Sequence, residues 1–300
     1  MITSRLLWAG WALVPVAAVT YHFGPGQSQY ALDRTAGLQD LAMASQVAAQ
    51  AAQELAYAKH LEALEARRAA LIDSTPTREA VAVDLTKEED ALYRTAATKW
   101  EKTAEDYGTV LAQIGSDSED AARDIRWAKA HATVRSGDVW GGISDLESLM
   151  EEVDALGDST DGAKRSKRQA ARDAALIQAS REELATAYYY GARLLRLSGM
   201  PPQEWRIESG KARQHFRYLA ETDGPAPEGI HQRNLELVLN LEQTPLADLQ
   251  GKPLPKESPG NGSCKQGNRK GTKPGRGPKP PSGKKDARGA GGAGDITDGW

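Results

Sequence analysis

Along most of this chain apolar residues recur at three-to-four spacing, the period of one helix face, and no run alternates apolar with polar as a half-buried strand would. The first segment departs from that pattern. Residues 6–23 (LLWAGWALVPVAAVTYHF) are 18 positions without a charged side chain. A membrane-spanning helix needs about 20 apolar residues and no fewer than about 17, so this segment is long enough to cross a bilayer with little tilt. Trp8, Trp11, Tyr21 and His22 put amphipathic rings toward its ends, where an interface favours them. A cleaved signal peptide is the other reading, with Arg5 as its basic start and Ala17 and Ala18 near the cleavage point. The apolar run continues past Ala18 to Phe23, which favours an uncleaved anchor. Both readings predict export, and Arg5 on the N-terminal flank places residues 24–300 outside the cytoplasm.

Gly24-Pro25-Gly26 breaks this segment from the body of the chain. Residues 28–72 lack proline and are dense in Ala, Leu, Glu and Gln, which are strong helix formers. Leu41, Ala48 and Leu55 recur at intervals of seven, with Ala44, Ala51 and Ala58 three residues after each. That is an a/d seam with alanine at d, which lets a second helix approach closely. It is too short to argue for a long intermolecular coiled coil, and predicts an intramolecular helical hairpin.

Residues 73–84, with Pro76, read as a connector, and Thr86-Lys87-Glu88-Glu89 as a capping box. The helix it opens carries Leu92, Ala96, Trp100, Ala104, Tyr107 and Leu111 on one face and ends at Gly115. Ser116 and Glu119 form a second capping box for a helix with Ile125, Ala128, Ala132 and Val134. Gly137-Asp138 turns the chain into a shorter helix with Ile143, Leu146, Leu149 and Met150, ending near Gly157. A long helix comes next over 163–198, with Gly199 as its stop and Pro201-Pro202 opening a successor that buries Trp205, Ala212, Phe216 and Leu219. The last helix is 230–241.

From Thr244 the character changes. Residues 252–300 contain 12 Gly and 7 Pro, too few large apolar residues to offset the entropy of ordering, and are expected to be disordered. They hold 11 Lys+Arg against 4 Asp+Glu, a net of +7. Of the chain's 38 basic and 41 acidic residues this leaves 27 and 37 for the remainder, a net of −10. An acidic body argues against nucleic-acid binding, which needs clustered cations; the tail is suited to an anionic surface or to the chain's own acidic body. The expected organisation is an all-α chain: 1–24, N-terminal membrane anchor or signal segment; 25–85, Ala-rich long helix and connector; 86–243, an array of antiparallel helical hairpins; 244–300, a disordered Gly/Pro/Lys-rich basic tail.

Two stretches resemble tetratricopeptide repeats, in which small residues stand where paired helices cross. Around Gly137 the matches are Ala130, Gly137-Asp138, Gly142 and Leu146. Around Gly191 they are Ala187, Tyr190, Gly191 and Leu194, then Ala212 and Phe216. The helix over 86–114 also resembles a repeat, with Thr103 and Tyr107 in second-helix slots. The motif's first position, normally Trp, is Arg126 in one stretch and Ala187 in the other, and Met200-Pro201-Pro202 lengthens a turn that the repeat keeps tight. Membrane anchor, repeat-like body and polar tail together resemble in layout the tetratricopeptide members of bacterial aerotolerance (Bat) operons. That resemblance implies other envelope proteins as partners, von Willebrand A-domain proteins among them, and carries over no ligand-binding residue.

Chemistry is hard to find. The single cysteine, Cys264, excludes an internal disulfide and a multi-cysteine metal cluster. His22, His60, His131, His215 and His231 have no second ligand at metal-binding spacing, and packing is the expected role of His131 and His215. No phosphate-binding loop occurs: Gly262 and Gly267 have its spacing, but Asn268 stands where lysine is required. The pairs Glu88-Glu89, Glu151-Glu152 and Glu182-Glu183 read as solvated or dipole-complementing. The aromatic stretch Tyr188-Tyr189-Tyr190 points in three directions, so one ring is expected on the surface. Repeat core with one exposed ring is the first reading; with Arg193 and Arg196 nearby the stretch is also a candidate partner-binding site, as is Trp140 beside the Gly137 turn, whose first reading is packing.

The expectation is therefore a non-enzymatic interaction scaffold. It sits in the bacterial inner membrane with a single pass and its bulk extracytoplasmic, and it has no cofactor, metal or small-molecule substrate. Polyanion or nucleic-acid binding through the basic tail is the alternative.

Overall fold

The computed structural model describes residues 25–114, 119–158, 166–222, 229–249 and 255. Within them the chain forms α1 Pro25–Ile72, α2 Pro76–Gln113, α3 Glu119–Ser136, α4 Val139–Asp158, α5 Lys167–Leu197, α6 Pro202–Thr222, α7 Ile230–Gln243 and a short turn of helix, α8 Leu246–Leu249. No strand occurs among the described residues. The expected membrane segment, 6–23, lies outside them, as does nearly all of the tail from 252. Among the described residues no helix is long and apolar enough to cross a membrane.

Three helix starts differ from expectation. Helix α1 begins at Pro25, inside the Gly-Pro-Gly break, because proline at the first helical position gives up only an N–H that has no helical partner there. Thr75 caps α2, its Oγ1 accepting from the Arg78 N–H at 3.4 Å, and Pro76 stands at N1. The connector is thus 73–75, and the expected boundary after residue 85 falls inside a helix. Thr86 caps nothing; its hydroxyl donates to the Ala82 carbonyl one turn back, at 2.8 Å. Helix α5 starts with a capping box outside the expected set, in which Ser166 accepts from the Gln169 N–H at 3.2 Å and Gln169 accepts from the Ser166 N–H at 3.1 Å. Two stops are as expected: Gly137 and Gly199 adopt φ of 104° and 76°, which L side chains rarely reach, while the expected stop at Gly115 lies outside the described residues.

Each helix packs chiefly on the next in the chain. Residue pairs run in opposite senses across these contacts, as in Ser45–Asp106 and His60–Glu89 between α1 and α2, or Arg126–Glu152 and Lys129–Asp145 between α3 and α4. Helices α3 and α5 also touch, in parallel, through Asp124–Arg172 and His131–Glu183. The result is a sequential antiparallel array, compatible with a helical-repeat fold. The crossing at Gly142 is as close as the repeat pattern asks. A Cβ there would overlap the Val134 side chain and sit 3.1 Å from the Ala130 carbonyl oxygen.

The α1–α2 hairpin forms, but along a different seam. Ala42, Ala49, Ala56 and Ala63 are fully buried, with Gln53 and His60 between them, whereas Leu41 and Leu55 are 63% and 57% exposed. Helix α2 answers with Tyr93, Trp100 and Tyr107 at sevenfold spacing, interleaved with Glu89, Ala96, Thr103 and Val110. The Trp100 indole N–H donates to Gln53 Oε1, and the Tyr107 hydroxyl donates to Gln46 Oε1 at 2.5 Å. Buried Trp and Tyr need acceptors, and the glutamines that supply them select which alanine stripe turns inward.

Candidate interaction surface

Helix α5 is the axis of the second half of the molecule. Residues 182–193 are buried without interruption, because α4 and α6 cover opposite sides while α3 and α8 touch it as well. All three tyrosines are inside as a consequence: Tyr188 is 2% exposed, Tyr189 1% and Tyr190 3%. The expectation that one ring stays on the surface applies to a helix with a single buried face, and α5 has no exposed face over this stretch.

Tyr188 joins three helices. Its hydroxyl donates to Glu147 on α4, its ring stacks on His215 of α6 at 5.7 Å, and the Lys211 ammonium lies 4.7 Å from the ring centroid. Burial, reinforced by the bond to Glu147, pushes its phenol pKa well up. Burial also lowers His215 to about 4, helped by the Arg181 guanidinium, so the imidazole is neutral in the folded protein. Tyr189 is raised by burial against the opposing pull of Arg193, itself 1% exposed. Arg196 donates to the Leu241 and Thr244 carbonyls and lies over the Trp205 ring at 5.0 Å, tying the end of α5 to α6 and to the last turn of α7. These four candidates hold the array together.

Trp140 is different. It stands at the start of α4, 47% exposed, with its six-membered ring against Gly191 of α5. A Cβ at position 191 would come 2.7 Å from Trp140 Cη2, so glycine is what lets the indole approach α5 this closely. Leu194, one turn beyond Gly191, is 37% exposed on the same helix.

Two buried ionic clusters are not legible as such in the sequence. His60 Nδ1 lies 2.7 Å from Glu89 Oε1, with Arg67 3.6 Å from the other oxygen. His131 Nδ1 lies 3.0 Å from Glu183 Oε2, Arg135 is 3.7 Å from Oε1, and the His131 ring stacks on Trp127 and meets Trp100 edge-on. Glu89, Glu182 and Glu183 are therefore not solvated: each is at most 3% exposed. Glu89 occupies a seam position on the α2 heptad, which is the signal that would have found it; Glu183 is explained by the all-round burial of α5. Glu152 fits the surface expectation better, being held below the usual carboxylate range by its bidentate bond from Arg126 at 2.5 and 2.8 Å. Among the described residues no group of His, Cys, Asp and Glu is arranged to hold a metal ion. Compared with known proteins, the chain matches no family model, no curated protein and no solved structure.

Proposed function

We propose that this chain is a non-catalytic interaction scaffold, with a tetratricopeptide-like helical body that presents a surface to other proteins. Residues 6–23 hold it at the bacterial inner membrane with the body outside the cytoplasm. The supporting observation is Trp140, a half-exposed indole fixed on a rigid helix pair by its seat on Gly191. Tryptophan in such a setting is costly to leave in water and is the residue type most enriched where interfaces concentrate their binding energy. Its partners are envelope proteins, and the layout of anchor, body and tail favours von Willebrand A-domain proteins among them.

Proximity labelling in the native host, with the label fused after Trp300, tests this reading. A small set of envelope proteins is expected in the membrane fraction, and Trp140→Ala is expected to reduce it while the melting temperature changes little. Labelling of cytoplasmic nucleic-acid proteins overturns both location and function, and favours polyanion binding through the basic tail.

A further inference from the structure

The seam read from the sequence at Leu41, Ala48 and Leu55 with Ala44, Ala51 and Ala58 exists, but it faces away from α2. Its heptad extends in both directions, through Arg34 and Gly37 on one side and Glu62 and Glu65 on the other. All ten positions are exposed. The α2-facing stripe, by contrast, is buried at Ala42, Ala49, Gln53, Ala56, His60 and Ala63. On a helical wheel the two stripes lie roughly 150° apart, so a second helix on the outer one does not collide with α2. Leu41 and Leu55, two heptads apart at 63% and 57% exposure, are large apolar side chains set at matching positions of a surface that would otherwise meet only water. An open groove of about 410 Å³ runs beside it, walled by Ala48, Ala52 and Leu55 on α1 and Leu92 and Thr95 on α2.

We propose that the occupant of this face is a second copy of the same chain, with its α1 antiparallel and the two-fold axis between Ala48 and Ala51. The stripe is complementary to its own reverse. Laid antiparallel about that point, every a position meets a d position of the partner, as an antiparallel pair requires. Leu41 opposes the partner's Ala58, Leu55 the partner's Ala44, and Ala48 the partner's Ala51, so each large side chain meets a small one. At the ends Arg34 meets the partner's Glu65. A parallel pair would set Arg34 on Arg34, Glu62 on Glu62 and Glu65 on Glu65, and would leave gaps where alanine faces alanine beside leucine facing leucine. A self-complementary patch of this kind generates a closed two-fold dimer and not an open chain of copies.

Residues 34–65 span roughly 46 Å of helix at 1.5 Å per residue. A contact of that length and one helix wide buries on the order of 1,000 Å² in total, the lower end for a specific complex, so dissociation in the micromolar range is expected. The arrangement also sets the two Pro25 ends about 70 Å apart. Copies anchored in one bilayer would then lie with α1 along its surface.

Sedimentation of the full chain in mild detergent, followed from submicromolar to high micromolar concentration, tests this. A monomer–dimer equilibrium is expected, and Ala51→Glu, at an exposed position, should raise the dissociation constant at least about tenfold with unchanged helicity. Orientation is read by disulfide trapping on a Cys264→Ser background. A mixture of Leu41→Cys and Ala58→Cys chains should cross-link to each other and neither to itself. A wild type that stays monomeric throughout, including one whose stripe instead captures a different protein, overturns the proposal. So does self-linking of Leu41→Cys, which the proposed antiparallel register does not allow. None of these readouts involves Trp140, so the scaffold reading and the dimer fail separately.

Discussion

His60 Nδ1 lies 2.7 Å from Glu89 Oε1 with both side chains buried, His60 on α1 and Glu89 on α2. On α1, His60 sits one heptad along from Gln53, which accepts from Trp100, and two from Gln46, which accepts from Tyr107; on α2 the step from Glu89 to Trp100 is eleven residues. The α1 members of these polar contacts therefore recur at the same interval as its alanines. Each of them rewards one register and penalises the neighbouring ones, in which a buried polar group would lose its partner.

This pair should behave as a unit. Glu89→Leu alone leaves His60 facing an apolar group and is expected to cost about 3 kcal/mol. Replacing both residues by leucine removes the orphaned histidine but still leaves Arg67 without the Glu89 carboxylate, so the double variant should recover only part of that loss. Urea denaturation of the two single variants and the double variant gives the coupling; simple additivity would show that the contact does not set the hairpin's stability.

Glycines inside the helices should respond with opposite signs. At Gly142 a methyl group meets Val134 and the Ala130 carbonyl, and Gly142→Ala is expected to destabilise by about 1–3 kcal/mol as α3 and α4 are forced apart. Gly108 lies within α2 with open space around it, so Gly108→Ala should stabilise by about 0.5–1 kcal/mol through helix propensity. Thermal unfolding of the two variants checks both directions at once.

His215 should make stability depend on pH. Its ordinary value is 6.5 and burial lowers it to about 4 in the folded protein. Between those values the unfolded chain binds a proton that the folded one does not, so stability falls as pH falls through this window. Above about 6.5 this contribution is flat. The loss is at most about 3 kcal/mol, and less to the extent that water reaches the partly exposed ring. Stability measured at pH 7 and pH 5 should drop less in His215→Gln than in the wild type; equal drops would assign the effect to other groups.

Much of the architecture can be read from local pattern. Gly137 and Gly199 terminate helices because only glycine tolerates the φ they need, and Ile143, Leu146 and Leu149 or Trp205, Ala212, Phe216 and Leu219 mark buried faces because their neighbours at other angles are polar. A helix start is equally local, yet Thr75-Pro76 and Thr86-x-x-Glu89 both satisfy a capping rule. The first is the true start, because proline interrupts a helix only in its interior and is well placed at N1.

Periodicity describes how one helix differs around its circumference, and it loses discrimination where that difference vanishes. On α1 alanine occurs on every side, so spacing alone identifies two heptad stripes without saying which one meets α2; the matched Gln46, Gln53 and His60 across the interface settle it. On α5 the difference vanishes for the opposite reason, since neighbours cover residues 182–193 from all sides and draw Tyr188, Tyr189, Glu183 and Arg193 inward together. Helix existence, length and order are consequences of bonds and rotamers within a few residues. The side that is covered, the charge that is buried and the indole that is left in water depend on which distant segment arrives against it, and that information resides in pairs of residues far apart in the chain.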